Sequence, residues 1–231
     1  MLIIGHRGAA ELAPENTLKS IRAAIESNVD MVEIDIAVCG TGETLLMHDD
    51  KVDRCTDGKG YIADLSFDSL RKLDAGEGEL IPTLQEVINL IDGRLPLNIE
   101  IKGKGSSDEV AQIIQNEIDN KGRSSADFLV SSFDHSELAC FKTLCPGIRI
   151  SPIISCHPVK LASLAEDMGA WSLNMKREYV SREIVEDAHR RGIKVLIFTV
   201  NHPEELSRMK KLNIDGVFTN NRYRLLNLSL K

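Results

Sequence analysis

The sequence has few aromatic residues, no long apolar run and no cluster of positive charge. Aromatic residues make up 4% of its 231 residues, and no apolar stretch approaches the roughly 18 residues that a membrane-spanning helix needs. The formal net charge is −7, without a Lys/Arg-rich run. Nucleic acid is therefore not expected as a partner, because binding to a phosphate backbone depends on clustered cations. A hydrophobic content of 42% excludes a disordered chain.

The N-terminus and the cysteines together predict a cytoplasmic protein. The first residues, Met1–His6, lack a basic region followed by a long apolar stretch, which a secretory signal requires. The five cysteines include no C-x-x-C pair. This pattern favours free thiols in a reducing compartment over disulfides or a structural zinc site. Neither feature decides between a monomer and a homo-oligomer.

Short β-branched segments alternate with segments of helical period along the whole chain. Eight such strand–helix units in residues 1–231 predict a single α/β domain, a compact (β/α)8 TIM barrel. A doubly wound sheet is the alternative. Thr83 and Glu86 form a capping-box pattern, which predicts that a helix begins there. Asn16 is expected to cap an earlier helix.

One predicted strand does not fit the alternation. Thr44–His48 is separated from the strand Met31–Ala37 by six residues, which is too short for a helical crossover. The Gly-rich link instead predicts an extra, antiparallel hairpin strand that ends beside the mouth of the barrel. The polar segment at about 49–80 then reads as a small insertion above the barrel.

Two predicted strands carry polar residues on the face that should be dry. Glu33 and Asp35 alternate with apolar residues, as do Asn98, Glu100 and Lys102, whereas a parallel strand covered on both faces is normally apolar. The acids should therefore point into the lumen, where three carboxylates would repel one another and resist ionisation. A hard divalent cation such as Mg²⁺ or Ca²⁺ would relieve that repulsion. The alternative is a half-exposed antiparallel sheet with solvated acids.

Two histidines end predicted strands, at the side of a barrel where its chemistry takes place. His6 is followed by Arg7, and His48 ends the hairpin strand. Histidine donates and accepts protons near neutral pH, and an arginine can grip a phosphate with two parallel hydrogen bonds. Lys102 either pairs with the acid on its own face or helps to bind an anion. The single tryptophan, Trp171, is expected in the core or at the barrel mouth.

Several short motifs occur in an order that is much more specific than any one of them. They are His6-Arg7-Gly8, Pro14-Glu15-Asn16-Thr17, Glu33-x-Asp35, His48-Asp49, Ile81-Pro82-Thr83-Leu84, Glu100-Ile101-Lys102, Ser132-Phe133, Thr199-Val200-Asn201 and Asp215-Gly216-Val217. With this set the chain resembles the glycerophosphodiester phosphodiesterase family over nearly its whole length. The resemblance implies a TIM barrel with a small insertion, which cleaves glycerophosphodiesters to glycerol 3-phosphate and an alcohol.

The resemblance also implies roles for seven residues. It implies one bound divalent cation, which is Mg²⁺ or Ca²⁺, with Mn²⁺ as a further possibility. The metal ligands would be Glu33, Asp35 and Glu100. The acid/base pair would be His6 and His48, and the phosphate contacts would be Arg7 and Lys102. The partner is then a small glycerophosphodiester. A lysophospholipase D-like hydrolase and a barrel that binds phosphorylated ligands without catalysis are the rival interpretations.

The chain departs from the family pattern at three places. Phe198 stands where many relatives have Trp, and Asn220 lies in a segment that lacks the usual Asp and Pro. Arg54-Cys55-Thr56 replaces a stretch that is usually rich in threonine. These departures bear on substrate contacts and on the surface of the insertion more than on the reaction.

Overall fold

Eight parallel strands form a closed ring in the computed structural model, which describes residues 1–229. The ring closes because β1 pairs with both β2 and β9. In chain order the strands, with the hairpin strand as β3, are β1 (Leu2–Gly5), β2 (Met31–Val38), β3 (Thr44–Leu46), β4 (Leu97–Ile101), β5 (Phe128–Ser132), β6 (Arg149–Ile154), β7 (Ser172–Lys176), β8 (Lys194–Phe198) and β9 (Gly216–Thr219). Closure confirms the predicted barrel and excludes the doubly wound sheet. The last two residues of the predicted 1–231 domain lie outside the described residues.

Helices connect successive strands of the ring. They are α1 (Leu18–Glu26), α2 (Phe67–Leu70), α3 (Leu84–Ile91), α4 (Ser106–Lys121), α5 (His135–Leu144), α6 (Ser163–Asp167), α7 (Arg182–Arg190), α8 (Pro203–Lys211) and α9 (Arg222–Leu225), with 3-10 turns at Ile62–Asp64 and Ser125–Asp127. α6 begins only at Ser163, because Leu161 adopts a left-handed φ of 50°, which an α-helix cannot accommodate.

The helix caps agree with the sequence patterns at one place and differ at another. Thr83 and Glu86 form the predicted capping box at the start of α3. The cap expected at Asn16 is wrong, because the Thr17 side chain accepts from the Ser20 N–H and caps α1. The carboxamide of Asn16 instead contacts Asp35.

The hairpin strand is confirmed, and it anchors the insertion. β3 pairs antiparallel with β2, with Ile36 opposite Leu46. The insertion packs against the hairpin through a small apolar cluster that includes Leu45, Val52, Ile62 and Leu70. This packing fixes the start of the insertion beside the C-terminal ends of the barrel strands.

The two faces of the ring strands bury different kinds of residue. Ile34 and Ile99 point outward into the main core beneath the helices, whereas Leu129 and Leu196 fill the lower lumen. Trp171 immediately precedes β7 and packs against that lower cluster. It lies at the N-terminal end of the barrel, so placing it at the mouth was wrong. Within residues 1–229 all the cysteines are free, and no helix has the length and apolarity to cross a membrane.

Candidate active site

Two adjacent strands bring three acids together in the lumen. In the β2–β4 register Asp35 lies opposite Glu100, and Glu33 lies opposite Asn98. One carboxylate oxygen from each of the three acids lies within 4.8 Å of the others. Glu33 is 2% exposed and Asp35 is 1% exposed, which excludes the solvated antiparallel sheet. The alternation read from the sequence therefore does place these acids inside the barrel.

Burial and mutual repulsion oppose ionisation of this cluster. Burial, followed by the charge on Asp35, raises the pKa of Glu100 from 4.5 to about 7, although Lys102 acts in the opposite direction. The pKa of Glu33 is raised well above its usual value by burial and by the charges on Asp35 and Glu100. These three acids are held together at a considerable electrostatic cost that a cation would offset.

The surroundings of the acids fit a hard cation. Glu33 Oε1 and Asn98 Oδ1 are buried acceptors without a hydrogen-bond partner in residues 1–229. Lys102 Nζ lies 2.8 Å from Glu100 Oε1 and 3.5 Å from Asp35 Oδ1. A set of carboxylate oxygens with an unpaired buried acceptor is the environment in which Mg²⁺ or Ca²⁺ is held.

His6 is buried with one ring nitrogen fixed. It follows β1, and its Nδ1–H donates to Asn220 Oδ1 at 2.7 Å, which leaves Nε2 as the free ring nitrogen. Burial, followed by the positive charge on Arg7, lowers the pKa of His6 from 6.5 to about 4. The ring is therefore neutral at physiological pH, with a lone pair on Nε2. Asn220 was not predicted as a site residue, because it lies 214 residues further along the chain.

His48 has a charged partner instead of an amide. Its Nδ1 lies 2.6 Å from Asp49 Oδ1, so Nδ1–H donates to a carboxylate and Nε2 is again the free nitrogen. Hydrogen bonds from Arg54, together with one from His48, lower the pKa of Asp49 in spite of its partial burial. An ionised carboxylate at this position accepts the Nδ1–H and fixes the orientation of the ring.

Arg7 occupies a strained backbone position beside the acids. Its φ is 53°, and its N–H donates to Glu33 Oε2 at 2.8 Å, while the guanidinium donates to Glu15 at 2.8 Å. A left-handed non-glycine residue is commonly found where function holds it. The next residue, Gly8, is required for packing, since a Cβ there would lie 2.5 Å from Ser20 Oγ in α1. No local sequence pattern indicated Glu15 as a partner of Arg7.

Asn16 supports one of the acids from outside the barrel. Its Nδ2–H donates to Asp35 Oδ2 at 2.9 Å, and its Oδ1 accepts the Asp35 backbone N–H at 3.1 Å. This two-point contact fixes both the strand and the carboxylate of Asp35. Asn16 was interpreted as a helix cap because it directly precedes Thr17, the residue that caps α1. Its contact with Asp35 becomes visible only in the folded structure.

Two cavities meet at His48. The first has a volume of about 140 Å³ and combines polar and apolar walls; it is lined by His6, Arg7, Glu33, His48, Asn98, Glu100, Phe133, Ile153, Asn174, Phe198, Thr199 and Phe218. The second, of about 380 Å³, lies on the insertion side and includes His48, Asp49, Tyr61 and Lys102. All seven residues singled out from the sequence are thus in one region, since Asp35 contacts both Arg7 and Lys102.

Ionisable groups at the C-terminal ends of the strands of a closed barrel define a barrel enzyme. The sequence signature of the Glycerophosphoryl diester phosphodiesterase family matches residues 6–222. A glycerophosphodiester phosphodiesterase of Caldanaerobacter subterraneus subsp. tengcongensis is 34% identical, over 100% of this chain and 98% of the relative. A protein of the same name from Bacillus altitudinis is 30% identical, over 94% of this chain and 93% of the relative.

Solved structures of phosphodiesterases share this fold. A phosphodiesterase of Oleispira antarctica, in complex with the product sn-glycerol-3-phosphate, superposes with a TM-score of 0.90 at 30% identity, over 98% of this chain and 96% of that one. A glycerophosphodiester phosphodiesterase of Thermotoga maritima gives 0.81 at 26% identity, over 98% and 96%. The chain belongs to the glycerophosphoryl diester phosphodiesterase family.

Proposed function

We propose that this protein hydrolyses water-soluble glycerophosphodiesters to glycerol 3-phosphate and an alcohol, with the help of one divalent cation. The observation that carries the proposal is that Glu33, Glu100 and both histidines line one cavity of about 140 Å³, with Asp35 clustered against the two glutamates. An engineered protein cavity of about 150 Å³ binds benzene, so this one is large enough for the glycerol group. Family membership and the product-bound relative support the same reaction.

The cation would be held by Glu33, Asp35 and Glu100, and Mg²⁺, Ca²⁺ or Mn²⁺ fits their oxygen ligands. When bound, it supplies Lewis-acid polarisation of a phosphoryl oxygen. Arg7 and Lys102 would offset the charge that develops on the phosphoryl oxygens. Both side chains contact Asp35, so they lie at the edge of the same cluster.

We assign different roles to the two histidines from their different partners. His6 is neutral and its Nε2 is free, so it is available to accept the proton of the nucleophile, which is either water or the neighbouring glycerol hydroxyl. Attack by the glycerol hydroxyl forms a cyclic phosphate, which water then opens to glycerol 3-phosphate. His48, supported by the Asp49 carboxylate, is suited to protonate the leaving alcohol. His48 lines both cavities, whereas His6 lines the smaller one. The glycerol phosphate would therefore lie in the smaller cavity and the leaving alcohol on the insertion side.

The alternative hypothesis, a lysophospholipase D-like activity, requires an apolar path beside the site for the acyl chain of the substrate. Apolar residues such as Val38 and Ile62 share the wall of the insertion-side cavity with four charged side chains, and these charges favour a polar alcohol; the charged residues are Asp49, Asp50, Lys102 and Lys104. We therefore favour glycerophosphocholine and related diesters over lysophospholipids in micelles. A direct comparison of the two substrate types separates the readings.

Replacement of either histidine tests the assignment. A general acid or base contributes about 10²–10⁴-fold to a rate, so His6→Ala and His48→Ala should each lose at least about 10²-fold in kcat. His189→Ala is the matched control, because His189 pairs with Asp215 at 2.8 Å and neither residue lines the two cavities. Glycerol 3-phosphate release is the readout, with circular dichroism to verify folding. Near-full activity in either variant would overturn the assignment.

Cytoplasmic location and self-association stay predictions. The first rests on the free thiols, which favour a reducing compartment. Sedimentation of the purified protein would determine its oligomeric state.

A further inference from the structure

One arginine of the insertion grips two carboxylates at once. Arg54 donates from Nε and Nη2 to Asp49, at 2.6 and 3.0 Å. It also donates from Nη1 and Nη2 to Glu15, at 2.8 Å each. All three guanidinium nitrogens are thus used, although the side chain is 49% exposed. A single surface ion pair would contribute little, but this planar fork fixes two acids relative to each other.

Each of those carboxylates holds a residue of the proposed active site. Asp49 accepts from His48 Nδ1 at 2.6 Å, and Glu15 accepts from Arg7 Nη1 at 2.8 Å. Glu15 lies 39 residues before Arg54 in sequence, whereas Asp49 lies five residues before it. The guanidinium therefore joins the segment before α1 to the start of the insertion, and these segments carry Arg7 and His48.

Both carboxylates are ionised at neutral pH, as a guanidinium fork requires. Burial opposes ionisation of Glu15, but the hydrogen bonds from Arg54 and the charge on Arg7 outweigh it and lower the pKa to about 2. Arg54 likewise contributes most to the lowered pKa of Asp49. The network thus persists throughout the pH range in which the enzyme would work.

We propose that Arg54 is a positioning residue, which aligns His48 through Asp49 and Arg7 through Glu15. The proposal rests on the catalytic roles given above. It gives the insertion a function in the reaction itself, beyond covering the barrel mouth. Because His48 acts on the reacting atoms and Arg54 does not, loss of the fork should lower kcat more than it raises KM. A lysine at this position keeps the positive charge but has only one nitrogen with which to donate, so Arg54→Lys should retain little of the wild-type kcat.

The test compares Arg54→Met and Arg54→Lys with Arg71→Met. Arg71 makes a matched two-bond contact with Glu86, at 2.7 and 2.9 Å, but neither residue lines the cavities. A misplacement of about 1 Å can cost about 10²-fold, so Arg54→Met should lose on the order of 10²-fold in kcat. Arg71→Met should keep its kcat even if its Tm falls. In Arg54→Ala, free guanidinium at millimolar concentration should restore part of kcat, and methylammonium should not.

A measurement without substrate keeps the proposal independent of the assumed reaction. The hydrogen-bonded Nδ1 proton of His48 should give a low-field signal in ¹H–¹⁵N spectra of the wild type and of Arg71→Met, and this signal should shift or broaden in Arg54→Met. An unchanged His48 signal, or a folded Arg54→Met with the kcat of Arg71→Met, overturns the proposal. A wild type that is inactive towards every diester would instead refute the proposed function, with the His48 signal still deciding the role of Arg54.

Discussion

Replacing Glu100 by glutamine should stabilise the cation-free protein at pH 8. Burial and the neighbouring Asp35 raise the pKa of Glu100 from 4.5 to about 7 in the folded protein. Below pH 4.5 the carboxyl is protonated in both the folded and unfolded states, so stability is not affected. Between pH 4.5 and about 7 the unfolded chain has released this proton while the folded protein still holds it, so the folded protein loses stability across that window. Above about pH 7 Glu100 is ionised in both states and the loss is complete.

The size of this effect follows from the pKa. A rise from 4.5 to about 7 corresponds to roughly 3 kcal/mol in the free energy of unfolding, at about 1.4 kcal/mol for each pH unit. For a chain of this length, 1 kcal/mol corresponds to about 2–4 °C in Tm. Glu100→Gln should therefore unfold roughly 6–12 °C above the wild type at pH 8 in EDTA. Loss of the Lys102 contact at 2.8 Å makes this an upper bound.

Thermal unfolding from pH 5 to pH 8 measures the difference directly. At pH 5, just above the unfolded-state pKa of 4.5, the difference should shrink to about 1 kcal/mol, or about 2–4 °C in Tm. Mg²⁺, Ca²⁺ or Mn²⁺ at about 1,000 times its Kd should reverse the order at pH 8, because it adds about 4.1 kcal/mol to the wild type, and the variant lacks one of the proposed ligands. Parallel pH curves for the two proteins in EDTA would refute the electrostatic reasoning.

Three further predictions follow from the same geometry. In Asn220→Asp, a carboxylate at His6 Nδ1 should raise the pKa of His6 above 4 and move the acidic limb of the kcat/KM profile to higher pH; an unmoved limb would contradict this. Glu100 must ionise to bind the cation, so cation binding at pH 6 should release protons. Calorimetry would detect this release as a binding heat that depends on the ionisation enthalpy of the buffer, and a heat that is the same in all buffers would contradict it. Gly8→Ala should lower Tm by several degrees, because its Cβ would lie 2.5 Å from Ser20 Oγ; an unchanged Tm would refute the packing argument.

Local periodicity predicted the barrel and the acids because both are properties of short segments. Alternation in β2 and β4 determines which side chains face inward, and the shared C-terminal edge of parallel strands brings Asp35 and Glu100 together. The short Gly-rich link likewise predicted the hairpin strand, because no crossover fits in six residues. These inferences need no knowledge of which distant residues touch.

The supporting contacts were missed because they depend on the closure of the fold. Asn220 reaches His6 across 214 residues, and Arg54 reaches Glu15 across 39, and no local pattern encodes either contact. At Asn16 a local pattern was present but misleading, because a residue type that is typical of a helix cap binds Asp35 instead.

Hydrolysis by chelated and reloaded protein tests the central claim most directly. The measurement is the release of glycerol 3-phosphate from glycerophosphocholine by protein treated with EDTA, before and after addition of Mg²⁺, Ca²⁺ or Mn²⁺. We predict no turnover in EDTA and recovery with at least one of the three cations. Glu33→Gln should show little recovery, since Glu33 is 2% exposed and supplies a proposed ligand. Undiminished release in EDTA would contradict the account.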